Sequence, residues 1–170
     1  SMSDLTQYGT GTQYWSYSSD TPGSIGKSCK MGSIDKPGAG LKNATDASVY
    51  NLCSGTNAFS VSMWGKIDNT SQDLAALWSF YSSGSMIFGL WFGGPSYKLP
   101  SSVNGSFCLG LTGPAGTLIE NTDYRASNIW RHYVYTYNGT TQKVYVNNIE
   151  KYSGSRSSLG SSNKFNFGHT

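Results

Sequence analysis

Hydrophobic and polar positions alternate most regularly over 59–67, where Phe59, Val61, Met63 and Ile67 fall on one side and Ser60, Ser62, Trp64 and Lys66 on the other. Residues two apart share a face of an extended chain, so this alternation predicts a half-buried strand. A second strand is predicted over 130–137 and a third over 142–146, separated by Asn138-Gly139, a strong short hairpin signal. Asn147-Asn148 then supplies a positive-φ turn into 149–152, which completes a three-strand meander. Shorter strands are predicted over 13–17, 28–31, 87–92, 107–111 and 164–167, each bounded by Gly, Pro, Ser or Asn. Within 87–92, Phe88, Leu90 and Phe92 form a uniformly apolar set suited to a core, whereas Ile87, Gly89 and Trp91 take the other face.

Two patterns compete over 70–81. Leu74, Leu77, Trp78 and Tyr81 recur at helical spacing and Thr70 with Asp73 imitates a capping box, yet 77–81 is aromatic-rich and runs into Ser-Ser-Gly. The reading favours strand, with room for one helical turn before it. A long surface loop is expected over 95–105, and no internal repeat is visible. Evenly spaced short strands of this kind predict an all-β sandwich.

Composition agrees and narrows the function classes. A chain of 170 residues suits one domain, and 14% aromatic against 12% charged residues, with 21 glycines and 12 tyrosines, is unlike a disordered chain or a helix bundle. The net charge of +3 is scattered rather than gathered into a basic stripe, which argues against nucleic-acid binding. The most apolar run, 86–92, falls far short of the ~20 residues a spanning helix needs, so no membrane insertion is expected. No charged-then-apolar signal peptide opens the chain, and Ser1-Met2 reads as a cloning remnant. Three cysteines, Cys29, Cys53 and Cys108, make a poor disulfide framework. Buried free thiols are the preferred reading and one disulfide the alternative; free thiols suit folding in a reducing cytoplasm.

Three stretches carry a resemblance. The stretch 23–32, Gly-Ser-Ile-Gly-Lys-Ser-Cys-Lys-Met-Gly, is similar to the approach to the second strand of laminin-G-like domains, a branch of the concanavalin A-like lectin and glucanase fold. The stretch 59–67 resembles that family's strand of Phe, Ser or Thr, an aliphatic residue and a Trp. The stretch 128–148 resembles its most recognisable segment, with Trp130, His132, Tyr137, Gly139, Tyr145 and Val146 in place. The resemblance implies an antiparallel two-sheet jelly-roll sandwich over 23–170, preceded by an N-terminal segment, 1–22, with a candidate edge strand at 5–8. It also implies that Trp64 and Trp130 pack structurally and that His132 is a structural histidine. Asn148 stands where the family usually has a turn glycine, a replacement Asn tolerates. The family's acidic segment and closing strand have no counterpart beyond 165–167, so either the chain is cut there or the segment 5–8 covers that edge.

The chemistry that this fold supports elsewhere is poorly provided for. Glycoside cleavage needs two carboxylates flanking one bond, and the only glutamates, Glu120 and Glu150, have no acidic residue two positions away. Arg131, His132 and Tyr133 are strand neighbours and cannot converge as a lyase site. No catalytic residue, cofactor or metal is therefore expected; Asp68, Asp73 and Asp123 lack the spacing of a calcium site. Aromatic rings with nearby amides and hydroxyls form a sugar-binding composition. Trp91, Trp78, Tyr81 and Tyr97, in the least family-like region, with Asn104 beside them, are the candidate ligand-binding residues, each with a core role as its alternative. Composition and fold analogy lead to the expectation of a non-catalytic, lectin-like attachment module of a larger protein that binds a cell-surface or bacterial-surface glycan. The setting expected for it is an extracellular or virion surface, as in the receptor-binding head of a viral spike or phage tail. The alternative is a structural or protein-interaction sandwich that binds no sugar.

Overall fold

A computed structural model of the chain describes residues 6–8, 15–23, 26, 28–31, 40–43, 55–66, 74–82, 85–93, 108–111, 117–120, 128–160 and 164–169. Cys53, Ile67, the stretch 70–73, the loop expected over 95–105, Tyr97, Asn104 and Asp123 lie outside them. Among the described residues every regular element is a strand. They are β1 (Thr6–Tyr8), β2 (Trp15–Ser18), β3 (Ser28–Met31), β4 (Gly40–Asn43), β5 (Phe59–Gly65), β6 (Leu74–Ser82) and β7 (Ser85–Gly93). There follow β8 (Cys108–Leu111), β9 (Thr117–Glu120), β10 (Arg131–Tyr137), β11 (Thr141–Val146), β12 (Ile149–Ser155) and β13 (Lys164–His169). The competing patterns at 70–81 resolve to strand from Leu74 onward, because burial on two sheet faces favours the aromatic run. Strand β4, Gly-Leu-Lys-Asn, carries no β-branched or aromatic residue that would announce it, and β9 is a run of only four residues.

The strands form an antiparallel sandwich. The larger sheet has the order β1-β4-β13-β6-β7-β8-β9 and the smaller β12-β11-β10-β5, with β2 and β3 as a separate hairpin. β1, in the segment expected to hold an edge strand, is outermost and is separated from β13 by β4.

The smaller sheet follows its sequence alternation closely. Tyr133, Tyr135 and Tyr137 of β10 and Gln142, Val144 and Val146 of β11 are buried, while the residues between them are half-exposed. Buried tyrosines need partners for their hydroxyls. Tyr137 Oη lies 2.7 Å from the Gly139 carbonyl and 3.1 Å from that of Arg156, and donates there. Tyr135 Oη donates to Gln142 Oε1 at 3.4 Å. Opposite them stand Trp78, Phe80, Phe88 and Leu90 of the larger sheet, all buried. Trp78 and Phe88, 5.3 Å apart within the larger sheet, meet Tyr135 of the smaller one at ring-centroid distances of 5.3 and 5.0 Å, which ties the two sheets through aromatic contacts.

β6 departs from strict alternation. Its pairing passes from Ala76↔Trp91 to Trp78↔Leu90, so Leu77 is an extra residue in a β-bulge, and both Leu77 and Trp78 join the core. A Leu77 methyl occupies the place where a Cβ on Gly65 would lie, 2.7 Å away, so Gly65 completes the inward face of β5 without a side chain. On the other face of the larger sheet, Ser79 and Gly89 are paired and buried as well. A Cβ on Gly89 would sit 2.6 Å from the Trp78 carbonyl oxygen. The Ser79 hydroxyl has no hydrogen-bond partner among the described residues.

Candidate functional site

The outer face of the smaller sheet carries Ser60, Ser62 and Trp64 from β5 and His132, Val134 and Thr136 from β10, paired in register as Ser60↔Thr136, Ser62↔Val134 and Trp64↔His132. At its end a shallow, open depression of 470 Å³ is lined by Trp64, Trp130, His132, Asn147 and Asn148. Each lining group is fixed by a local device. Asn147 and Asn148 have φ of 49° and 66° and join β11 to β12 as the two central residues of a tight turn, the positive-φ turn anticipated from the sequence. Asn147 is bound to β10 twice: its N–H donates to the His132 carbonyl at 2.8 Å, and its Oδ1 accepts from the His132 N–H at 2.9 Å. That clamp holds the backbone of His132. The imidazole is fixed in turn by a 2.8 Å hydrogen bond between its Nε2 and Ser62 Oγ, and lies 5.1 Å from the Trp64 ring at an interplanar angle of 31°.

Trp64 is 44% exposed. The expectation that it packs structurally is therefore corrected: it stands on the polar face, where a strand of period two must place it once Phe59, Val61 and Met63 point inward. Trp130 is also outside the core. It is half-buried just ahead of β10, its Nε1 donates to Asp20 Oδ1 at 2.8 Å, and Lys66 Nζ lies 5.5 Å from its ring centroid while ion-paired with Asp20 Oδ2. Asp20 thus joins the end of the β2–β3 hairpin to the smaller sheet; its N–H donates to Ser18 Oγ at 3.0 Å and its carbonyl accepts from Ser28 Oγ at 2.6 Å. Ile129 and Ile149, next in sequence to the lining residues Trp130 and Asn148, are 54% and 60% exposed.

Farther along the same face, Lys143 Nζ and Glu150 Oε2 form a 2.8 Å ion pair, and Tyr145 Oη donates to Glu150 Oε2 at 3.3 Å. The hydrogen bond and charge of Lys143 hold the Glu150 carboxyl below its ordinary range, and those of Glu150 raise Lys143. Among the described residues no cluster of His, Cys, Asp or Glu could hold a metal ion. No described helix is long and apolar enough to cross a membrane.

Of the residues singled out from sequence, Trp78 is displaced from the binding set: it is fully buried between the sheets, because the bulge at Leu77 turns it into the core. Position 91 falls on the face of the larger sheet away from Leu90, in register with Ala76 on β6 and Gly110 on β8. Position 81 is paired with Met86 and Lys164. Tyr97 and Asn104 lie outside the described residues. Trp78 is not among the residues that line the depression, whose sequence signal is Trp64 alternating with serines.

A model of the concanavalin A-like lectin/glucanases superfamily, of laminin G type, matches residues 40–169. The chain belongs to that superfamily. The similarity to an arabinanase domain agrees at the level of the fold. Domain 4 of AbnA, an extracellular arabinanase from Geobacillus stearothermophilus solved in complex with arabinotriose, superposes with a TM-score of 0.61 at 18% identity, over 96% of this chain and 72% of that one. The β-glucanase of Bacillus licheniformis superposes with a TM-score of 0.42 at 12% identity, over 99% and 86%. No curated protein is significantly similar in sequence.

Proposed function

We propose that this member of the superfamily is a non-catalytic glycan-binding module of a larger surface protein, and that the depression around Trp64 is where the saccharide sits. The observation that carries the reading is an exposed indole held rigid by His132, with two turn carboxamides beside it. Sugar C–H faces stack on such a ring, and amides take the hydroxyls. The arabinanase domain, solved with arabinotriose, lends support by showing the same fold beside an oligosaccharide. A general-acid role for Glu150 is disfavoured, since Lys143 holds its carboxyl down whereas a general acid needs the opposite shift.

A glycan array followed by calorimetric titration tests the proposal. Wild-type protein should give specific, weak hits that Trp64→Ala removes, and a blank array would overturn it. The rival reading, a protein-interaction sandwich, is favoured by one observation, the exposed apolar side chains of Ile129 and Ile149. It predicts that a blank array accompanies concentration-dependent self-association.

The finer part of the proposal is an attachment head of a viral spike or phage tail, displayed on a virion or other extracellular surface after folding in a reducing cytoplasm. It is supported by the low-charge Tyr, Ser, Asn and Gly composition and by three cysteines that make a poor disulfide framework. Thiol titration of native and denatured protein should count three reduced cysteines; a disulfide seen by mass would remove the cytoplasmic setting.

A further inference from the structure

The described residues lining the depression are two indoles, an imidazole and two carboxamides, with no carboxylate, ammonium or guanidinium among them. Behind the Trp130 ring stands Lys66, whose side chain is only 14% exposed and whose ammonium lies 5.5 Å from the ring centroid. Asp20 is placed to do two things at once. Through Oδ1 it fixes the Trp130 indole, and through Oδ2 it cancels the Lys66 charge, while remaining 52% exposed. A second ion pair among the described residues of the outer face, Lys143 with Glu150, is likewise balanced. An acidic sugar approaching Trp130 would meet the Asp20 carboxylate and an ammonium already engaged, so its own charge would lose hydration without gaining a partner. A neutral sugar loses nothing of the kind.

We propose that Asp20 is a specificity-determining residue: by neutralising Lys66 beside Trp130 it restricts the site to uncharged saccharides. The inference rests on the glycan-binding reading of the same depression. It also separates from a purely structural role for Asp20, since a latch between the β2–β3 hairpin and the smaller sheet would set stability but not the ratio of neutral to acidic ligands. Asp20→Asn keeps an oxygen to accept from Trp130 Nε1 while removing the charge and the oxygen that accepts from Lys66 Nζ.

The test is calorimetric or NMR titration with arabinotriose and lactose as neutral probes, and trigalacturonate and 3′-sialyllactose as acidic ones, at low and high salt. Wild type should favour the neutral probes with little salt dependence. Asp20→Asn should shift the ratio toward acidic probes by about fivefold, the equivalent of a partly exposed ion pair of ~1 kcal/mol, in a salt-sensitive manner. Adding Lys66→Gln should cancel that shift. Lys66→Gln alone should move the ratio the opposite way, which keeps the test decisive if Asp20→Asn fails to fold. A wild-type preference for acidic probes, or a ratio unmoved by these changes, would overturn the inference and leave the glycan-binding reading standing. No binding of any probe by wild type would overturn that reading, and the inference with it.

Discussion

The two sheets of the sandwich bury their residues by different rules. In β10 and β11 every second residue is buried and the rest are half-exposed, so one face is core and the other is surface. In β6 and β7, by contrast, Leu77, Trp78, Ser79 and Phe80 are buried in succession, as are Phe88, Gly89 and Leu90. The smaller sheet therefore behaves as a one-sided antiparallel sheet with an accessible outer face, and the larger as a sheet covered on both sides at its centre. Two tryptophans show the consequence. Trp78 and Trp64 both sit in aromatic-rich strands, yet one has no exposed surface and the other has nearly half.

The widest separation between the sheets should come from those two residues. Trp78→Ala should cost ~3–5 kcal/mol in urea unfolding, as a large truncation among Phe80, Phe88 and Tyr135, whereas Trp64→Ala should stay within about 1 kcal/mol of wild type while losing saccharide binding. Equal costs would show that the outer face is not free. Next in size is Gly89→Ala, which forces a methyl against the Trp78 carbonyl and the Ser79 Cβ; about 1–3 kcal/mol of overpacking is expected, read as a lower urea midpoint. Smaller again is Asn148→Ala, which strains a residue at φ 66° by ~1 kcal/mol, while Asn148→Gly should be neutral or slightly stabilising.

The smallest effect concerns the ion pair on the outer face. The Glu150 carboxyl titrates below its ordinary 4.5 in the folded chain, because Lys143 hydrogen-bonds to it, so its contribution is complete above that value and is lost as the pH falls through the depressed one. Lys143 is raised above 10.5, chiefly by its hydrogen bond to Glu150, so its contribution is complete below 10.5 and is lost as the pH rises through the raised value. The melting-temperature gap between wild type and Glu150→Gln should accordingly be small, widest near neutrality, and close at both extremes. A gap that persists well below pH 4.5 would show that Glu150 acts through packing rather than charge.

The same contrast explains what the sequence made legible. The β10–β12 meander was readable because its alternation is strict and its turns are written in local residues, Asn138-Gly139 and Asn147-Asn148. The first of these turns has its tip one residue later than anticipated: Asn138 N–H donates to the Thr141 carbonyl, and Asn138 Oδ1 accepts from the N–H groups of Thr140 and Thr141. Trp64 was legible too, since its alternation with Ser60 and Ser62 put it outside; the family resemblance pulled the reading toward packing. The place of Trp78 was hidden, because a bulge shifts phase by one residue and nothing in Ala75, Ala76 and Leu77 announces it. Trp130 was expected at the start of a buried strand, yet its indole N–H is engaged by Asp20, a partner so distant in sequence that no local pattern could reveal it.

In the larger sheet, β13 lies between β4 and β6 and pairs with both. During synthesis from the N-terminus, β4 and β6 are therefore complete long before the strand that joins them. Until β13 inserts, each presents an open edge whose N–H and C=O groups can pair with another chain, so the nascent domain passes through an interval of aggregation risk. Closing the sheet requires contacts between chain regions far apart in sequence, which makes folding slow as well as late. Expression losses in variants of Phe165 or Phe167 would then reflect how long those edges stay open, rather than how stable the finished sandwich is.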